Sequence, residues 1–247
     1  MARFARSSTL PVNANDLIMT DRSNLPWLTF DCYDTLVTYS ESKAQRLAEL
    51  IRAKGGDADA VDTGQVAFEA REREIQTGTF KLLNAVLRES LNDAMAAAGL
   101  DCTVDDEAAL IDAVCTAPPF NDVSEAMRAL KENFRIAILS NSEPEIIRHS
   151  IIRIGIGMDA IVLAADAKCY KPAPEMFGAL LARIQTPADQ VTHVAQSFYH
   201  DIRPSKNADF GRRIWINRYA KKGDAAYAPD YELADFSGLA AILSGGN

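Results

Sequence analysis

Five short apolar runs are separated along the chain by segments with helical spacing. A short run bounded by turn-forming residues is typical of a buried strand, whereas apolar residues three and four positions apart predict an amphipathic helix. Strands that alternate with helices of about 10–15 residues favour a parallel, doubly wound sheet. The predicted strands comprise residues 28–30, 134–139, 160–165, 191–195 and 213–217, and the helices that follow or separate the later strands comprise residues 123–133, 145–154, 174–184, 204–210 and 233–243.

A long interval without a predicted strand follows the first apolar run. Helical spacing predicts four helices there, and glycines end two of them, at Gly55–Gly56 and at Gly99. We therefore predict an α/β protein with a doubly wound parallel sheet, a Rossmann-like core, that is interrupted after its first strand by an α-helical cap. The predicted cap helices comprise residues 42–54, 65–76, 80–98 and 105–115. The predicted divisions are an N-terminal extension at 1–25, a core at 26–38 and 119–247, and a cap at 39–118.

The composition excludes several classes of protein. Hydrophobic residues make up 48% of the 247 residues, which excludes a wholly disordered chain. The formal net charge of −8 argues against a nucleic-acid-binding surface and against binding to anionic membranes. No apolar stretch approaches the length of a membrane span, and Arg3 and Arg6 precede a polar segment that does not support a secretory signal.

The cysteines indicate a compartment rather than a site. Cys32, Cys102, Cys115 and Cys169 lie far apart, without a C-x-x-C pair or a surrounding cluster of histidines. This spacing favours reduced thiols in a cytoplasmic enzyme over a disulfide framework or a zinc site. The chain also lacks a glycine-rich phosphate-binding loop.

Polar side chains follow the predicted strands at their carboxyl ends. Asp31 ends the first strand, and Ser140 and Asn141 follow the second. The third strand leads to Lys171 and the fourth to Asp201. Because the carboxyl ends of parallel strands share one edge of a sheet, a nucleophile, a cation, hydrogen-bond donors and a second carboxylate are expected to meet in one crevice. Taken singly, each residue could instead have a purely structural role, since aspartates cap helices and most lysines are solvated.

The order of these residues resembles that of the haloacid dehalogenase superfamily, and within it the 2-haloacid dehalogenases that act on L-substrates. The resemblance covers nearly the whole chain from Pro26 onward and includes a helical cap inserted after the first motif. Four motifs match in order, and the strand that follows the fourth is also similar. The matching segments are DCYDTL at 31–36, LSNS at 139–142, YKP at 170–172, HVAQSFYHD at 193–201 and WINR at 215–218.

The resemblance implies a catalytic role for most of the matched polar residues. Asp31 is expected to attack the substrate and form an ester intermediate. Lys171 is expected to keep Asp31 ionised and oriented. Thr35 and Ser140, together with the backbone amide of Asn141, are expected to donate hydrogen bonds to Asp31 or to the substrate carboxylate.

Two positions distinguish the chain from the phosphatases of the superfamily. Most members are magnesium-dependent phosphatases, in which a second Asp protonates a poor leaving group and an acidic pair in the fourth motif helps to hold the metal. Here Tyr33 occupies the position of the Asp that protonates the leaving group. Gln196 replaces the first acid of the fourth-motif pair, so that Asp201 is the acid that remains. A halide leaves without a proton, so these residues favour halide displacement without a cofactor, with Tyr33 as a wall of the pocket. Asp201 is expected to activate water or to hold Lys171, and Mg²⁺ is expected only in the phosphatase alternative.

Several further residues are predicted to contact the substrate. Its carboxylate and leaving group need a cation from the cap, and Arg71 on the predicted helix 65–76 is the candidate, although pairing with nearby acids is its ordinary alternative. Ser197 and His200 lie in the fourth motif, and Phe177 occupies the position of a tyrosine in the third. His193 is predicted to be structural.

The chain also departs from the dehalogenase pattern, which keeps other functions open. The family glycine after the motif tyrosine is Asp34 here, a family tyrosine is Phe177, and a family asparagine aligns with Phe198. We predict a hydrolase that releases halide from small L-2-haloacids, a small carboxylic acid as its partner, and a homodimer by resemblance alone. The alternatives are a magnesium-dependent phosphatase, a hydrolase of another 2-substituted carboxylic acid, and a catalytically silent binding protein.

Overall fold

Six parallel strands form one sheet in a computed structural model that describes residues 22–245. The strands are β1 (Trp27–Phe30), β2 (Arg135–Ser140), β3 (Ala160–Leu163), β4 (Thr192–Ala195), β5 (Arg212–Ile216) and β6 (Tyr231–Leu233). Their order across the sheet is β3-β2-β1-β4-β5-β6, and every neighbouring pair is parallel. The predicted doubly wound α/β core is confirmed. Residues 1–21 of the predicted N-terminal extension lie outside the described residues.

The first strand lies at the centre of this sheet. All four residues of β1 are buried, which agrees with its apolar run, and β1 pairs with β2 on one side and with β4 on the other. The strands that follow β1 extend the sheet to one side as far as β3, and the chain then returns to build the other side from β4. In open α/β sheets, ligands bind outside the carboxyl ends of the strands at such a switch point. The switch point therefore lies where β1 ends before Asp31 and β4 ends before Gln196.

Four helices fill the interval after β1, as predicted. Their apolar positions recur every three or four residues, so each helix buries one face, as α3 does with Leu83, Val86, Leu87 and Leu91. The second cap helix begins at Ala58 rather than at residue 65, because the Asp57 side chain caps it by accepting a hydrogen bond from the Ala60 amide at 2.9 Å. The cap helices are α1 (Tyr39–Ala53), α2 (Ala58–Thr77), α3 (Leu83–Ala97) and α4 (Val104–Thr116). The division of the chain into separate domains at these boundaries stays a prediction.

The two chain segments that connect cap and core lie side by side. The Thr38 amide donates to the Pro118 carbonyl at 2.9 Å, and the Phe120 amide donates to the Leu36 carbonyl at 3.1 Å. An antiparallel bridge joins Val37 to Pro119 between them. The cap is thus attached directly beside the turn that carries Asp31.

Three predicted elements of the core also differ from the structure. The third strand ends at Leu163 rather than at residue 165, because the Asp166 side chain accepts from the Leu163 amide and starts a short helix. The predicted helix 204–210 is a shorter helix at Arg203–Asn207, and a π-helical turn at Phe198–Ile202 precedes it. The predicted helix 233–243 overlaps the end of edge strand β6 and begins in full only at Leu239. The core helices are α5 (Val123–Asn133), α6 (Pro144–Ile154), α7 (Ala164–Ala167), α8 (Pro174–Ile184), α9 (Arg203–Asn207) and α10 (Leu239–Ser244).

No helix between residues 22 and 245 combines the length and the apolar character needed to cross a membrane. The four cysteines are free thiols, as their spacing predicted.

Candidate active site

A buried ammonium group links the two aspartates that follow the central strands. The Nζ atom of Lys171 lies 2.7 Å from Oδ1 of Asp31 and 2.6 Å from Oδ1 of Asp201, and it donates a third hydrogen bond to the Leu139 carbonyl at 3.0 Å. The Lys171 side chain is only 2% exposed. All three donors of the ammonium are therefore used, and its charge is shared between two carboxylates.

The loop that carries Lys171 is held by the residue that follows β2. Oδ1 of Asn141 accepts from the Lys171 amide at 2.6 Å, and Nδ2 of Asn141 donates to the Lys171 carbonyl at 3.1 Å. This reciprocal pair fixes the backbone of Lys171 beside the end of β2. Asn141, predicted to act through its amide on substrate, thus also positions the cation through its side chain.

Thr35 holds the other oxygen of Asp31. The Thr35 hydroxyl donates to Oδ2 of Asp31 at 2.7 Å and accepts from the Gln196 amide at 2.8 Å. The guanidinium of Arg218 donates to the Thr35 carbonyl at 3.1 Å and pairs with Asp122 at 2.9 Å. The turn after β1 is therefore fixed from β4 and from the segment after β5, so that Asp31 has a defined orientation.

A buried histidine supports Asp201 from inside the sheet. His193 on β4 is fully buried; its Nε2 lies 3.1 Å from Oδ1 of Asp201, and its Nδ1 lies 2.8 Å from the Thr29 hydroxyl on β1. When Thr29 donates to Nδ1, the neutral imidazole donates from Nε2 to Asp201. Its position within the predicted buried strand 191–195 was the signal that the sequence offered for this contact.

Asp31, Lys171 and Asp201 form a triad of charged groups, and these charges shift the pKa values of the three residues in different directions. Burial raises the pKa of Asp31 above its ordinary 3.8 and the negative charge of Asp201 adds to the rise, while Lys171 offsets part of it. Burial also opposes ionisation of Asp201, but Lys171 and the His193 hydrogen bond outweigh it, so that the pKa of Asp201 is lowered. Burial by itself would lower the pKa of Lys171, but the two carboxylates outweigh burial, so that the pKa is raised. Lys171 therefore stays charged, and the two acids titrate as a coupled pair.

Tyr33 forms a wall of the cleft, and its hydroxyl is already engaged. The phenol lies 2.6 Å from the Ser142 hydroxyl, and its ring stacks on Tyr39 with centroids 4.1 Å apart. Burial holds the pKa of Tyr33 well above 10. Asp34 follows with a left-handed φ of 61°, and its carboxylate accepts from the Ser40 amide at 2.8 Å, so it anchors the start of α1. Asp34 can replace a glycine here because Asp tolerates this conformation.

The cleft above the triad has a volume of about 450 Å³ and collects most of the remaining candidates. Asp31, Asn141, Ser197 and His200 line it, and Ser197 holds His200 with a hydroxyl–Nδ1 distance of 3.0 Å. Burial lowers the pKa of His200 below 6.5, so the imidazole is neutral at pH 7. The buried Nε2 of Gln196 also belongs to this cleft and has no hydrogen-bond partner among the described residues.

Three predicted site residues are not at this cleft as expected. Ser140 is fully buried, and its hydroxyl does not reach Asp31 and has no partner in the described part of the chain. Phe177 is a core residue: its ring packs against His193 with centroids 6.2 Å apart. Arg71 pairs with Glu74, Glu89 and Asp93 on the outside of α2 and α3 and lines neither cavity. The ordinary alternative, pairing with nearby acids, is therefore the correct interpretation of Arg71.

Lys43 is the buried cap cation that the sequence interpretation missed. It lines the catalytic cleft from α1, pairs with Glu72 at 2.6 Å, and lies 5.0 Å from the ring centroids of both Tyr39 and Phe68. On α1 it occupies the buried stripe with Tyr39, Leu47 and Ile51, at intervals of four residues. A charged residue on an apolar helical stripe was the available signal.

The residues of the cleft do not fit a divalent cation. Within residues 22–245, no group of three or more His, Cys, Asp or Glu side chains is arranged to hold a metal. Asp31 and Asp201 each give one oxygen to the Lys171 ammonium, and Gln196 supplies an amide N–H₂ group where the magnesium-dependent phosphatases have an acid. Because Mg²⁺ takes oxygen ligands, this arrangement leaves few free carboxylate oxygens to hold it.

Comparison with known proteins gives one family and a consistent fold. A family model described as haloacid dehalogenase-like hydrolase matches residues 26–209. Among solved structures, the L-2-haloacid dehalogenase RSc1362 has a TM-score of 0.78 at 21% identity, covering 90% of this chain and 99% of that one. The L-2-haloacid dehalogenase from Xanthobacter autotrophicus has a TM-score of 0.77 at 18% identity, covering 90% and 100%. YfnB from Bacillus subtilis, assigned to the HAD hydrolases and solved with magnesium bound, has a TM-score of 0.76 at 18% identity, covering 89% and 99%.

No protein of curated function matches the sequence. At these identities the solved structures establish the fold alone, a parallel sheet with a helical cap, and leave the reaction open. The family model covers most of the chain, from just before β1 to the end of α9, and so includes all four motifs around the Asp31–Lys171–Asp201 triad. The chain is therefore a hydrolase and belongs to the haloacid dehalogenase-like hydrolase family.

Proposed function

We propose that the protein catalyses metal-independent hydrolytic displacement at the α-carbon of a 2-substituted carboxylic acid, with an L-2-haloacid as the best candidate. The observation that carries this proposal is the buried Lys171 ammonium between Asp31 and Asp201. It supplies the positive charge that the phosphatases of the superfamily take from magnesium. The tyrosine in place of the proton donor supports the same reaction, because a halide leaves without a proton.

The first step forms an ester on Asp31. A carboxylate oxygen of Asp31 attacks the α-carbon on the face opposite the halogen; the new C–O bond forms as the C–halogen bond breaks, and the halide leaves with the bonding electron pair. Lys171 and Thr35 each hold one oxygen of Asp31 and so align the carboxylate. The configuration of the α-carbon is inverted once.

The second step hydrolyses the ester. Asp201 accepts a proton from water, and the water oxygen attacks the ester carbonyl carbon of Asp31. The C–O bond to the substrate then breaks, and the substrate oxygen takes the proton held by Asp201 and leaves as the hydroxyl of a 2-hydroxy acid. Asp31 regains its carboxylate with one oxygen from water, and the second proton of that water is released to solvent. Oδ2 of Asp201 supports this role, because it is buried at the cleft and no described residue bonds it.

The substrate carboxylate requires donors beside Asp31. The Gln196 side-chain amide is buried at the cleft with Nε2 unused, and the Lys43 ammonium approaches from the cap. We assign the carboxylate to these two groups, with Ser197 at the same wall. The assignment of Lys43 replaces Arg71 as the cap cation.

The deciding experiment measures chloride and phosphate release in parallel. The protein is incubated with L- and D-2-chloropropionate and with p-nitrophenyl phosphate, each in EDTA and in magnesium. We expect chloride release from the L-enantiomer that EDTA does not reduce, and D-lactate as the product. Phosphate release that depends on magnesium, without chloride release, contradicts the proposal and supports the phosphatase alternative; no turnover of any compound supports a silent binding protein.

The nucleophile is tested by isotope labelling and by substitution. In a single turnover in H₂¹⁸O, the label should enter Asp31 before it enters product; label found directly in product indicates attack by water instead. Asp31→Asn should lose at least about four orders of magnitude in rate while the melting curve stays cooperative, because an amide is a poor nucleophile. Asp34→Asn is the matched control, since its carboxylate lies in the same turn but bonds Ser40.

A cytoplasmic location and a homodimer belong to this proposal as well. The four free, separated cysteines support the first, and the family resemblance supports the second.

A further inference from the structure

A second and larger cavity lies next to the catalytic cleft, beneath the cap. This chamber has a volume of about 1000 Å³ and lies between α1, α2 and the loop at 168–173. Lys43, Glu72, Gln76 and Lys171 line both cavities, so that the chamber adjoins the cleft.

The chamber is far larger than a three-carbon substrate needs. A molecule such as 2-chloropropionate has six non-hydrogen atoms, which corresponds to roughly 180 Å³ at about 30 Å³ per water-sized group. The catalytic cleft alone, at about 450 Å³, already contains that volume. Pockets of about 300–1,000 Å³ typically bind drug-sized ligands. The chamber therefore has room for a substituent that a small haloacid does not possess.

One part of the chamber wall is apolar. Ala44 and Leu47 of α1 face it together with Phe68 of α2, and Phe80 and Tyr170 complete this surface with ring centroids 5.4 Å apart. Such a surface gains free energy when it covers alkyl or aromatic groups, in proportion to the apolar area removed from water.

Cations surround this apolar wall. Besides Lys43 and Lys171, the chamber is lined by Arg73, Lys168 and Lys221, and none of these three forms an ion pair with a described residue. Glu69 and Glu72 are the acids on the same walls. In a chain of net charge −8, this local excess of positive charge attracts anions.

We propose that the substrate is an organic anion with a long alkyl or aryl side chain, and that the chamber binds this side chain while the 2-substituted carboxylate lies at Asp31. This inference rests on the proposed function and narrows its substrate class from small 2-haloacids to bulky ones. Leu47, Phe68 and Phe80 would contact the side chain.

The test compares 2-bromo acids of increasing length. The substrates are 2-bromopropionate, 2-bromohexanoate, 2-bromooctanoate and 2-bromo-3-phenylpropanoate. We expect kcat/KM to rise with length by up to about fourfold per buried methylene, hence by about 10- to 60-fold from propionate to hexanoate. A kcat/KM that is highest for 2-bromopropionate and falls with length overturns the inference.

A chamber-filling variant locates the effect. Ala44→Phe places a ring at the apolar wall and should lower the ratio of kcat/KM for 2-bromooctanoate to that for 2-bromopropionate by about tenfold. Ala97→Phe is the matched control, because Ala97 is exposed on α3 and lines neither cavity; its ratio should equal that of the unaltered protein. An unchanged ratio in a folded Ala44→Phe protein overturns the assignment of the side chain to the chamber.

Binding of unreactive acids separates this inference from the proposed function. Calorimetry with octanoate and propionate should give at least tenfold tighter binding of octanoate, and Ala44→Phe should remove the difference. If no bromo acid reacts but octanoate binds more tightly, the displacement reaction is wrong and the ligand class stands. Equal affinities overturn the ligand class whether or not a bromo acid reacts.

Discussion

At the scale of single residues, the site depends on one charge that cannot move. Lys171 uses all three of its donors, on Asp31, Asp201 and the Leu139 carbonyl, and its raised pKa keeps it protonated. Removing one partner of a buried ion pair typically costs about 3–5 kcal/mol. Lys171 is therefore a fixed cation, and the proposed mechanism assigns proton transfer to Asp201.

The His193–Asp201 bond predicts a specific kinetic defect. In His193→Phe, Asp201 loses the hydrogen bond that orients its carboxylate, so water is less well positioned and ester hydrolysis should slow. A hydrogen bond to a charged group contributes about 1.5–3 kcal/mol, which corresponds to about 10- to 150-fold in rate. Mass spectrometry during turnover should show the Asp31 ester accumulating.

Thr29→Val is the control for this prediction, because it removes the hydroxyl beside Nδ1 but retains the His193–Asp201 pair. Its rate should fall less than that of His193→Phe. A His193→Phe protein that shows lower thermal stability but no accumulated ester has lost packing only, which contradicts the positioning role.

The raised pKa of Asp31 predicts the acid limb of the pH profile. Asp31 must be ionised to attack, so kcat/KM should fall tenfold per unit as the pH drops through its pKa, and this limb should lie above pH 3.8. In Asp201→Asn the negative charge that helps to raise the pKa of Asp31 is absent. The acid limb of the rate of ester formation, measured in single turnovers, should therefore move to lower pH. A limb that stays in place or moves to higher pH contradicts the coupling.

At the scale of elements, close backbone packing holds the strand ends in register. Gly211 precedes β5, and its amide donates to the Ala188 carbonyl at 3.0 Å. A Cβ atom at Gly211 would lie 1.9 Å from the Asp189 carbonyl oxygen, so that a side chain would force the segment before β5 away from the segment before β4. The fourth motif begins in β4, and Arg218 follows β5. The alignment of these two strands thus depends on Gly211.

This packing predicts a difference between two glycine substitutions. Gly211→Ala should lower the free energy of unfolding by about 1–3 kcal/mol, because overpacking displaces backbone. Gly157→Ala should change it by less than about 1 kcal/mol or raise it, since no atom lies within 4 Å of its added Cβ. Urea unfolding of both variants measures the difference; equal effects contradict the close approach at Gly211.

At the scale of the whole molecule, the cap and the core together make the site. The catalytic acids and Lys171 come from the sheet edge, whereas Lys43, Glu72 and Gln76 come from the cap helices that cover it. The two connecting segments pair at Thr38 and Pro118, directly after the turn of Asp31. The cap is therefore connected to the turn of Asp31 through a short stretch of backbone.

Assembly is the remaining prediction at this scale. We expect a homodimer, on family resemblance alone, so sedimentation equilibrium should give about twice the chain mass of 27.0 kDa. A single species of 27.0 kDa at micromolar concentration contradicts it. Activity that is proportional to protein concentration across the dissociation range would show that each chain holds a complete site.

Some parts of the fold and site could be predicted from the sequence because they are local. The buried strands are continuous apolar runs, and the reactive residues follow them directly, so the positions of Asp31, Lys171 and Asp201 at one edge follow from a parallel sheet. The edge strand β6 was missed, because its three residues are mostly exposed and carry no apolar run. Arg71 was misplaced because helical spacing indicates which face is apolar but not which element covers it.

The order of strands and helices, the inserted helical segment and the polar residues at the strand ends follow from the amino-acid sequence, since hydrophobic periodicity and adjacent motif residues encode these directly. The folded protein was needed to show that His193 contacts Asp201, that Lys43 rather than Arg71 lines the cleft, and that a large chamber adjoins it. The reason is that contacts near 3 Å depend on the register of distant strands and on the way the cap packs over the sheet, and the spacing of residues along the chain specifies neither.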